Sequence, residues 1–402
     1  MHLSPHGFLE PLTYSTIMNA RHAGKTSSTK NESSHRPLSI LLVGPNTLRV
    51  NTAGIEQALF YLAQFLLQKK QHVELFCTSP EPKGSLNYEG IPVHEFPRFA
   101  PQHAYYFSPA LARAIGESKH EIIHAYGYNN MATMAAVWMK KPGQKLIITG
   151  ASSISSSAFR KLLHAPLGWY YRLFRQKIDK LICVSPYEYA LFKDVFRLPE
   201  EKYVVIPNGI ELESLKKMKK KRVPHMILSV GRLVKQKGMH RLIAAMPEVL
   251  HAHPDARLHI VGGGPERDAL ELQSKKLGVS AAVTFHGHIQ FEEKSRLMEL
   301  FSQAEVFSLM ADSESQGLVY GMGIATRCKV LTTNQSAMKE LVQAGAALGI
   351  DHPDDSHAIA SGIIQLFNSP LPKIEMESLL WSWERVGNAV LGVYRELCGQ
   401  KP

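Results

Sequence analysis

Short apolar runs alternate with stretches of helical period along the chain, and the first clear unit starts at Ser39. Ser39-Ile-Leu-Leu-Val43 is closed by Gly44-Pro45-Asn46, the pattern of a strand buried on both faces that runs into a loop. Over 54–68 the apolar positions Ile55, Leu59, Leu62, Ala63 and Leu66 recur at helical spacing, and Val73-Glu-Leu-Phe-Cys77 is again strand-like. Strand, glycine loop, helix, strand is the unit of a doubly wound parallel sheet. Further strands are predicted at 121–124, 145–149, 180–184 and 203–206. After the turn Pro207-Asn208-Gly209, a second α/β pattern opens at Met226-Ile-Leu-Ser-Val-Gly231. It continues with a helix around 238–251, a strand at 257–261, a glycine loop at 262–264 and a strand at 283–285. A helix at 291–302, strands at 305–309 and 329–332, and an aromatic helix around 381–397 complete it.

This divides the chain into a tail at 1–36, rich in Ser, Thr, His and Lys and expected to be disordered, a first domain at 37–210, a linker at 211–224, a second domain at 225–380 and a last helix at 381–402 that crosses back to the first domain. Two α/β halves imply a cleft, and open parallel sheets bind ligands at the carboxyl ends of their strands.

Composition narrows the partners. The 402 residues are 45% hydrophobic, enough for two cores, and no apolar run is long enough to span a bilayer. The N-terminus has no basic region followed by an apolar stretch, so no secretory signal is expected. Cys77, Cys183, Cys328 and Cys398 are scattered without a Cys-x-x-Cys pair, which argues against a disulfide framework or a cysteine-based zinc site and for a cytoplasmic setting. The excess of 46 basic over 35 acidic residues, +11, favours anionic partners: nucleotide phosphates, lipid headgroups or nucleic acid. No nucleic-acid-binding motif accompanies it, so nucleic acid is not expected.

Two loops carry candidate chemistry. Gly231-Arg232-Leu-Val-Lys-Gln-Lys237-Gly238 lies between a strand end and a helix start, where Arg232 and Lys237 could converge on an anion beside free amides. From the residues alone it is equally a phosphate cradle or a solvated turn. His259-Ile-Val-Gly262-Gly263-Gly264-Pro265-Glu266 lets the backbone approach a ligand closely, or is a plain tight turn.

From Ser39 to about Arg395 the chain resembles glycosyltransferase family 4, retaining sugar transferases of the GT-B fold, in which two Rossmann-like doubly wound domains face across a cleft. The residues that carry the resemblance come in order: Ala53-Gly54-Ile55-Glu56, Cys183-Val-Ser-Pro-Tyr-Glu188, Val205-Ile-Pro-Asn-Gly-Ile210, Gly231-Arg-Leu with Lys237-Gly, Val261-Gly-Gly-Gly-Pro265, Val283-Thr-Phe-His-Gly287, Glu314 with Gly317-Leu-Val, and Trp383-Glu-Arg-Val. The resemblance implies a donor site for a UDP- or GDP-sugar and no cofactor or metal. Arg232 and Lys237 would hold the diphosphate, aided by the amides of Gly317, Leu318 and Val319. Gly54 would approach from the other wall, Gly264 would sit beside the donor, and Phe285, His286 and Gly287 would lie by the base. Glu314 would approach the donor sugar, with the departing phosphate taking the acceptor's proton. His124 and Tyr126 would face a glycan or lipid-linked acceptor, although His124 taken alone reads more readily as a structural histidine.

The chain departs from the family at several places. Met322, eight residues after Glu314, replaces a second glutamate that binds the ribose in relatives. Arg327 and Lys329 stand where a glycine and a proline are usual, Tyr126 where a second histidine is common, and Gly150-Ala-Ser-Ser-Ile-Ser-Ser-Ser157 where a histidine-bearing loop is frequent. Such losses admit a second expectation, a GT-B protein that binds a partner or glycan without catalysis. A glucan phosphorylase or synthase on the same fold ranks last. Over 159–177, Arg160, Lys161, Arg172, Arg175 and Lys177 alternate with Trp169, Tyr170, Tyr171 and Phe174, which suits an interfacial helix on anionic lipid on the inner face of a membrane. The alternative is a helix that packs its aromatics and solvates its charges. The basic run 216–222 reads as a solvated linker.

Overall fold

The structure is a computed structural model that describes residues 36–49, 54–99, 107–151, 158–290 and 293–400, with the backbone alone for 158–165. The expected tail at 1–36 thus falls almost wholly outside the described residues. From Pro37 onward the chain forms one compact unit.

Two parallel sheets organise it. The first contains β1 (Ser39–Gly44), β2 (His72–Ser79), β3 (Ser85–Tyr88), β4 (Ile91–Pro97), β5 (Ile122–Tyr126), β6 (Lys145–Thr149), β7 (Lys180–Cys183) and β8 (Tyr203–Val205), in the order β3-β4-β2-β1-β5-β6-β7-β8. Only β3 runs antiparallel, on β4 at the sheet edge. The second contains β9 (Val223–Val230), β10 (Arg257–Val261), β11 (Val283–Gly287), β12 (Ala304–Leu309), β13 (Lys329–Thr333) and β14 (Leu348–Ile350), in the order β11-β10-β9-β12-β13-β14. Strand order reverses beside β1 in one sheet and β9 in the other, the two places where a doubly wound sheet leaves a crevice.

The sequence accounts for these elements locally. Ile40 to Val43 are wholly buried, as a strand covered on both faces requires. The helix Gly54–Gln68 buries Ala58, Leu59, Leu62, Ala63, Phe65 and Leu66 on one side. Ser185 and Ser108 each precede a proline at the helix start and accept from an amide of the first turn (Glu188 and Leu111), so both helices begin at a capped position.

The expected linker 211–224 is partly built into the second domain, while Lys217, Lys219 and Lys221 of its basic run 216–222 are exposed. It contains a helix, Leu212–Lys217, whose Leu212 and Leu215 enter the second core, and β9 already starts at Val223. Arg222 donates to the carbonyls of Phe301, Ser302, Ala304 and Thr326. Its planar guanidinium thus adds strong donors to the Phe301, Ser302 and Ala304 carbonyls, which otherwise receive the Lys221 amide or the weak Cys328 thiol.

The chain crosses between the domains twice, side by side. Ile210 N–H donates to Trp381 O (2.9 Å), and Ile210 forms a parallel bridge with Ser382. After the second crossing the helix Trp383–Leu397 lies on the first domain. Trp383 stacks on Tyr61 (ring centroids 4.8 Å apart), Lys180 pairs with Glu396 at 3.0 Å, and a side chain at Gly387 would overlap the Phe65 ring.

Candidate functional site

At the carboxyl end of β9 the chain enters the loop Gly231–Gly238, which a single turn holds in place. Gly238 has φ +68, and a Cβ there would lie 1.9 Å from the Met310 carbonyl oxygen, so only glycine lets this loop meet the segment after β12. Asp312 N–H donates to Gln236 O (2.9 Å). Arg241 reaches across from the helix Met239–Ala252 to Met310 O (2.8 Å) and Asp312 Oδ1 (2.6 Å).

This brings Lys237 and Glu314 together. The Lys237 ammonium donates to Glu314 Oε1 at 2.5 Å, with both side chains largely shielded. The Glu314 amide donates to Ser336 Oγ (3.0 Å) and its carbonyl accepts from Ala337 N–H (3.2 Å), so the loop is fixed from both sides. Arg232 is exposed and, among the described residues, its side chain makes no hydrogen bond or ion pair; its charge acts on Glu56 of the first domain.

Three residues beyond Glu314 the helix Leu318–Ala325 starts at Gly317, in the left-handed region (φ +71), where a Cβ would strike Tyr320 and Met338. The amides of Gly317, Leu318 and Val319 open this helix and have no carbonyl of a preceding turn to bond, an arrangement that can hold an anion. Gly54 faces it from the first domain: a Cβ on Gly54 would lie 3.7 Å from Leu318 Cδ1. Gly264 stands in the neighbouring loop, where Leu233 N–H donates to Gly263 O (2.8 Å).

On the far side of that loop, Phe285 lies beneath the Arg267 guanidinium (4.7 Å from the ring centroid). His286 and His259 stack and share a hydrogen bond at 2.9 Å. Burial pushes both rings' pKa values down, with His259 further lowered by His286. Gly287, at φ +75, offers its carbonyl to Gly262 N–H (2.8 Å).

The departures from the family pattern also have places. Met322 packs against the second domain's core from the helix Leu318–Ala325. Arg327 adopts φ +67, the left-handed conformation that explains why a glycine is usual there and that costs arginine about 1–2 kcal/mol. Lys329 pairs with Glu305 at 2.9 Å. Residues 152–157 of the serine-rich loop lie outside the described residues.

His124 and Tyr126 require a correction. Neither faces the cleft. Both belong to β5 and are buried, His124 completely. One His124 nitrogen bonds Tyr394 Oη (2.6 Å) and the other Thr149 Oγ1 (2.7 Å). Burial depresses the imidazole pKa to about 3 and pushes the Tyr126 phenol well above its usual range. A neutral histidine with both nitrogens occupied, at the middle of a parallel sheet, has no access to an acceptor. The sequence showed the residue type, but only the return of the last helix shows the burial.

Three contributors were not assigned from sequence. Glu56, in the first turn of the helix Gly54–Gln68, is buried and accepts from Asn46 Nδ2 (3.0 Å). Burial raises its pKa, while Asn46 and the charge of Arg232 pull it back. Arg267 follows directly on the Gly-Gly-Gly-Pro-Glu turn, a position that could have flagged it. Glu340 accepts from Tyr187 N–H (2.8 Å) at the start of the helix Pro186–Phe196, joining the second domain to the first. Only the tertiary structure reveals that contact.

Two doubly wound domains, with a cationic loop and an open helix start at the strand reversal of the second, are the GT-B architecture. Residues 52–214 match the family model described as Glycosyltransferase Family 4, and residues 211–378 the model described as Glycosyl transferases group 1. The chain belongs to glycosyltransferase family 4. It is 24% identical over 387 residues, 88% of this chain and 97% of the relative, to a GDP-mannose-dependent monoacylated alpha-(1-6)-phosphatidylinositol monomannoside mannosyltransferase of Corynebacterium glutamicum. It is 28% identical over 248 residues to a glycogen synthase of Mycobacterium tuberculosis; that match spans 60% of this chain and 58% of the relative. Among solved structures, the sucrose-phosphate synthase of Thermosynechococcus elongatus shares the fold with a TM-score of 0.72 at 18% identity, over 90% of this chain and 99% of the other.

Proposed function

We propose that the protein transfers a sugar, with retention and without a metal, from a UDP- or GDP-sugar to a glycan or lipid-linked acceptor in cell-surface glycan biosynthesis. The Lys237–Glu314 pair carries this reading. An incoming diphosphate competes for Lys237, takes the free charge of Arg232 and meets the amides of Gly317 to Val319, while Glu314 is released toward the donor sugar. Fixed cations and amides of this kind stabilise the charge that grows on a departing diphosphate. The acceptor hydroxyl attacks the anomeric carbon from the face the phosphate leaves. The bond to the phosphate oxygen breaks, a bond to the acceptor oxygen forms, and the acceptor's proton goes to the phosphate. The lipid substrate in the name of the Corynebacterium relative supports a lipid-linked acceptor, and its donor supports a nucleotide diphosphate sugar.

The test is donor binding and slow nucleotide release across a panel of UDP- and GDP-sugars. Arg232→Ala, which removes one charge-assisted contact of about 1.5–3 kcal/mol, is expected to weaken the preferred donor roughly ten- to 150-fold. If no donor binds and Arg232→Ala changes nothing, the proposal fails. Met322 favours a second reading, a partner or glycan-binding protein with an impaired donor site; on that reading donor affinity stays undetectable even after the glutamate is restored.

A further inference from the structure

At the opposite end of the second sheet lies a cluster that the transferase reading does not use. His225, His253 and Asp255 each offer one ligand atom, and the three atoms lie within 4.8 Å of one another. We propose that these residues form a divalent metal site of the zinc class at the amino-terminal end of β9 and β10, remote from the donor cleft.

The strand register brings the residues together. Met226 pairs with Arg257, so His225 enters β9 beside the turn that precedes β10. That turn carries His253 and Asp255 on either side of Pro254, directly after the helix Met239–Ala252. His225 holds φ +56, and its amide donates to Glu305 Oε2 at 2.9 Å, which fixes the backbone that aims its ring. The Nδ1 atom stands 2.9 and 3.0 Å from the two Asp255 oxygens. Two ligands bound to one tetrahedral zinc ion at roughly 2.0–2.2 Å stand about 3.3 Å apart. The pair is therefore already at coordinating separation, and the exposed Asp255 side chain can adjust to admit His253.

The chemistry suits a borderline cation. Two imidazoles and one carboxylate match zinc, cobalt and nickel better than magnesium or calcium, which prefer all-oxygen sites. Phe367 walls one side of the cluster, its ring 4.8 Å from that of His225 and 5.2 Å from that of His253. It excludes water from that side and leaves a fourth coordination position open to solvent. About six residues of β9, roughly 20 Å, separate this cluster from the loop at Gly231. An ion here ties a strand start to a helix end and takes no part in sugar transfer. The sparse, scattered cysteines gave no hint of it.

The test uses the full-length chain without an affinity tag, titrated with Zn²⁺ alone by calorimetry and with Co²⁺ followed by visible absorption. One equivalent of saturable binding is expected, with the intense visible bands of low-coordinate cobalt. His253→Gln and Asp255→Asn should each weaken it at least tenfold, whereas His357→Ala, an exposed histidine elsewhere, should leave it unchanged. His225→Asn keeps a residue that tolerates the left-handed backbone and should abolish binding. Circular dichroism without metal establishes that each variant is folded, and Asp255→Asn, on an exposed side chain, keeps the test valid if His225→Asn is not. No saturable uptake, or uptake equal in wild type and Asp255→Asn, overturns the site and leaves His225 and Asp255 as an ion pair only. Donor binding measured with and without EDTA is expected to be the same, so this result and that of the transferase test stay separate.

Discussion

At the scale of single residues, Met322 and His124 give the sharpest expectations. Met322 sits on the helix Leu318–Ala325, one turn beyond the start proposed to meet the diphosphate, packed against the core. Met322→Glu should tighten donor binding by about tenfold or more, since a charged hydrogen bond contributes about 1.5–3 kcal/mol; isothermal titration with UDP and GDP checks it. His124 tests the corrected placement. Its ordinary pKa of 6.5 falls to about 3 on folding, so the folded protein binds its proton less well than the unfolded chain. Its contribution is complete above pH 6.5 and is lost as pH falls toward 3, at roughly 1.4 kcal/mol per unit. Urea unfolding of wild type should steepen its loss of stability below pH 6.5, and His124→Gln should show a shallower slope while being less stable at pH 7. The loop that brings Lys237 to Glu314 was legible because glycine and basic side chains after a strand have a recognisable spacing. Arg222 and His124 were not, because their partners include segments 104 and 270 residues away.

Among elements, the strands read most clearly from sequence, since a strand covered on both faces is an unbroken apolar run. The helix Met131–Met139 was missed for the same reason: Met-Ala-Thr-Met-Ala-Ala-Val-Trp-Met is apolar all round and shows no stripe of period 3.6. The helix Pro186–Phe196 was announced by Ser185-Pro186, a cap signal that went unread as such. Its start carries the contact with Glu340, whose carboxyl burial pushes up to about 7, against the pull of the Tyr187 amide. A carboxyl whose pKa rises from 4.5 on folding stabilises most when protonated, so folding stability falls as pH climbs from about 4.5 through about 7 and the buried carboxyl must ionise, although the Tyr187 hydrogen bond itself favours the ionised form. Melting temperatures between pH 5 and 8 should fall across that window in wild type. In Glu340→Gln, whose amide oxygen still accepts from Tyr187, that part of the fall should vanish.

At the scale of the whole molecule, the chain carries a net charge of +11, and the first domain exposes large apolar side chains. No described helix is long and apolar enough to cross a membrane. Trp169 and Leu173 lie four residues apart on one helix face, Trp138 is exposed on a neighbouring helix, and the Lys177 ammonium donates to the Trp138 carbonyl. Of the aromatics singled out in 159–177, Tyr171 is instead a core residue, its hydroxyl donating to Tyr128 O, and Arg172 is spent on the carbonyls of Asp194 and Val195. The side chains of Arg160 and Lys161 lie outside the described residues. We infer a peripheral, lipid-facing surface built on Trp138, Trp169, Leu173, Arg175 and Lys177. Sedimentation with phosphatidylglycerol vesicles should fall several-fold for Trp138→Ser with Trp169→Ser and stay level with neutral vesicles; equal binding by wild type and variant rejects the surface. The helix Trp383–Leu397, finally, belongs to the first domain in space and follows the second in sequence: the hydroxyl that occupies His124 lies 270 residues further along the chain, and the ring that stacks on Tyr61 opens the same helix. The first domain therefore has one flank uncovered until that helix docks.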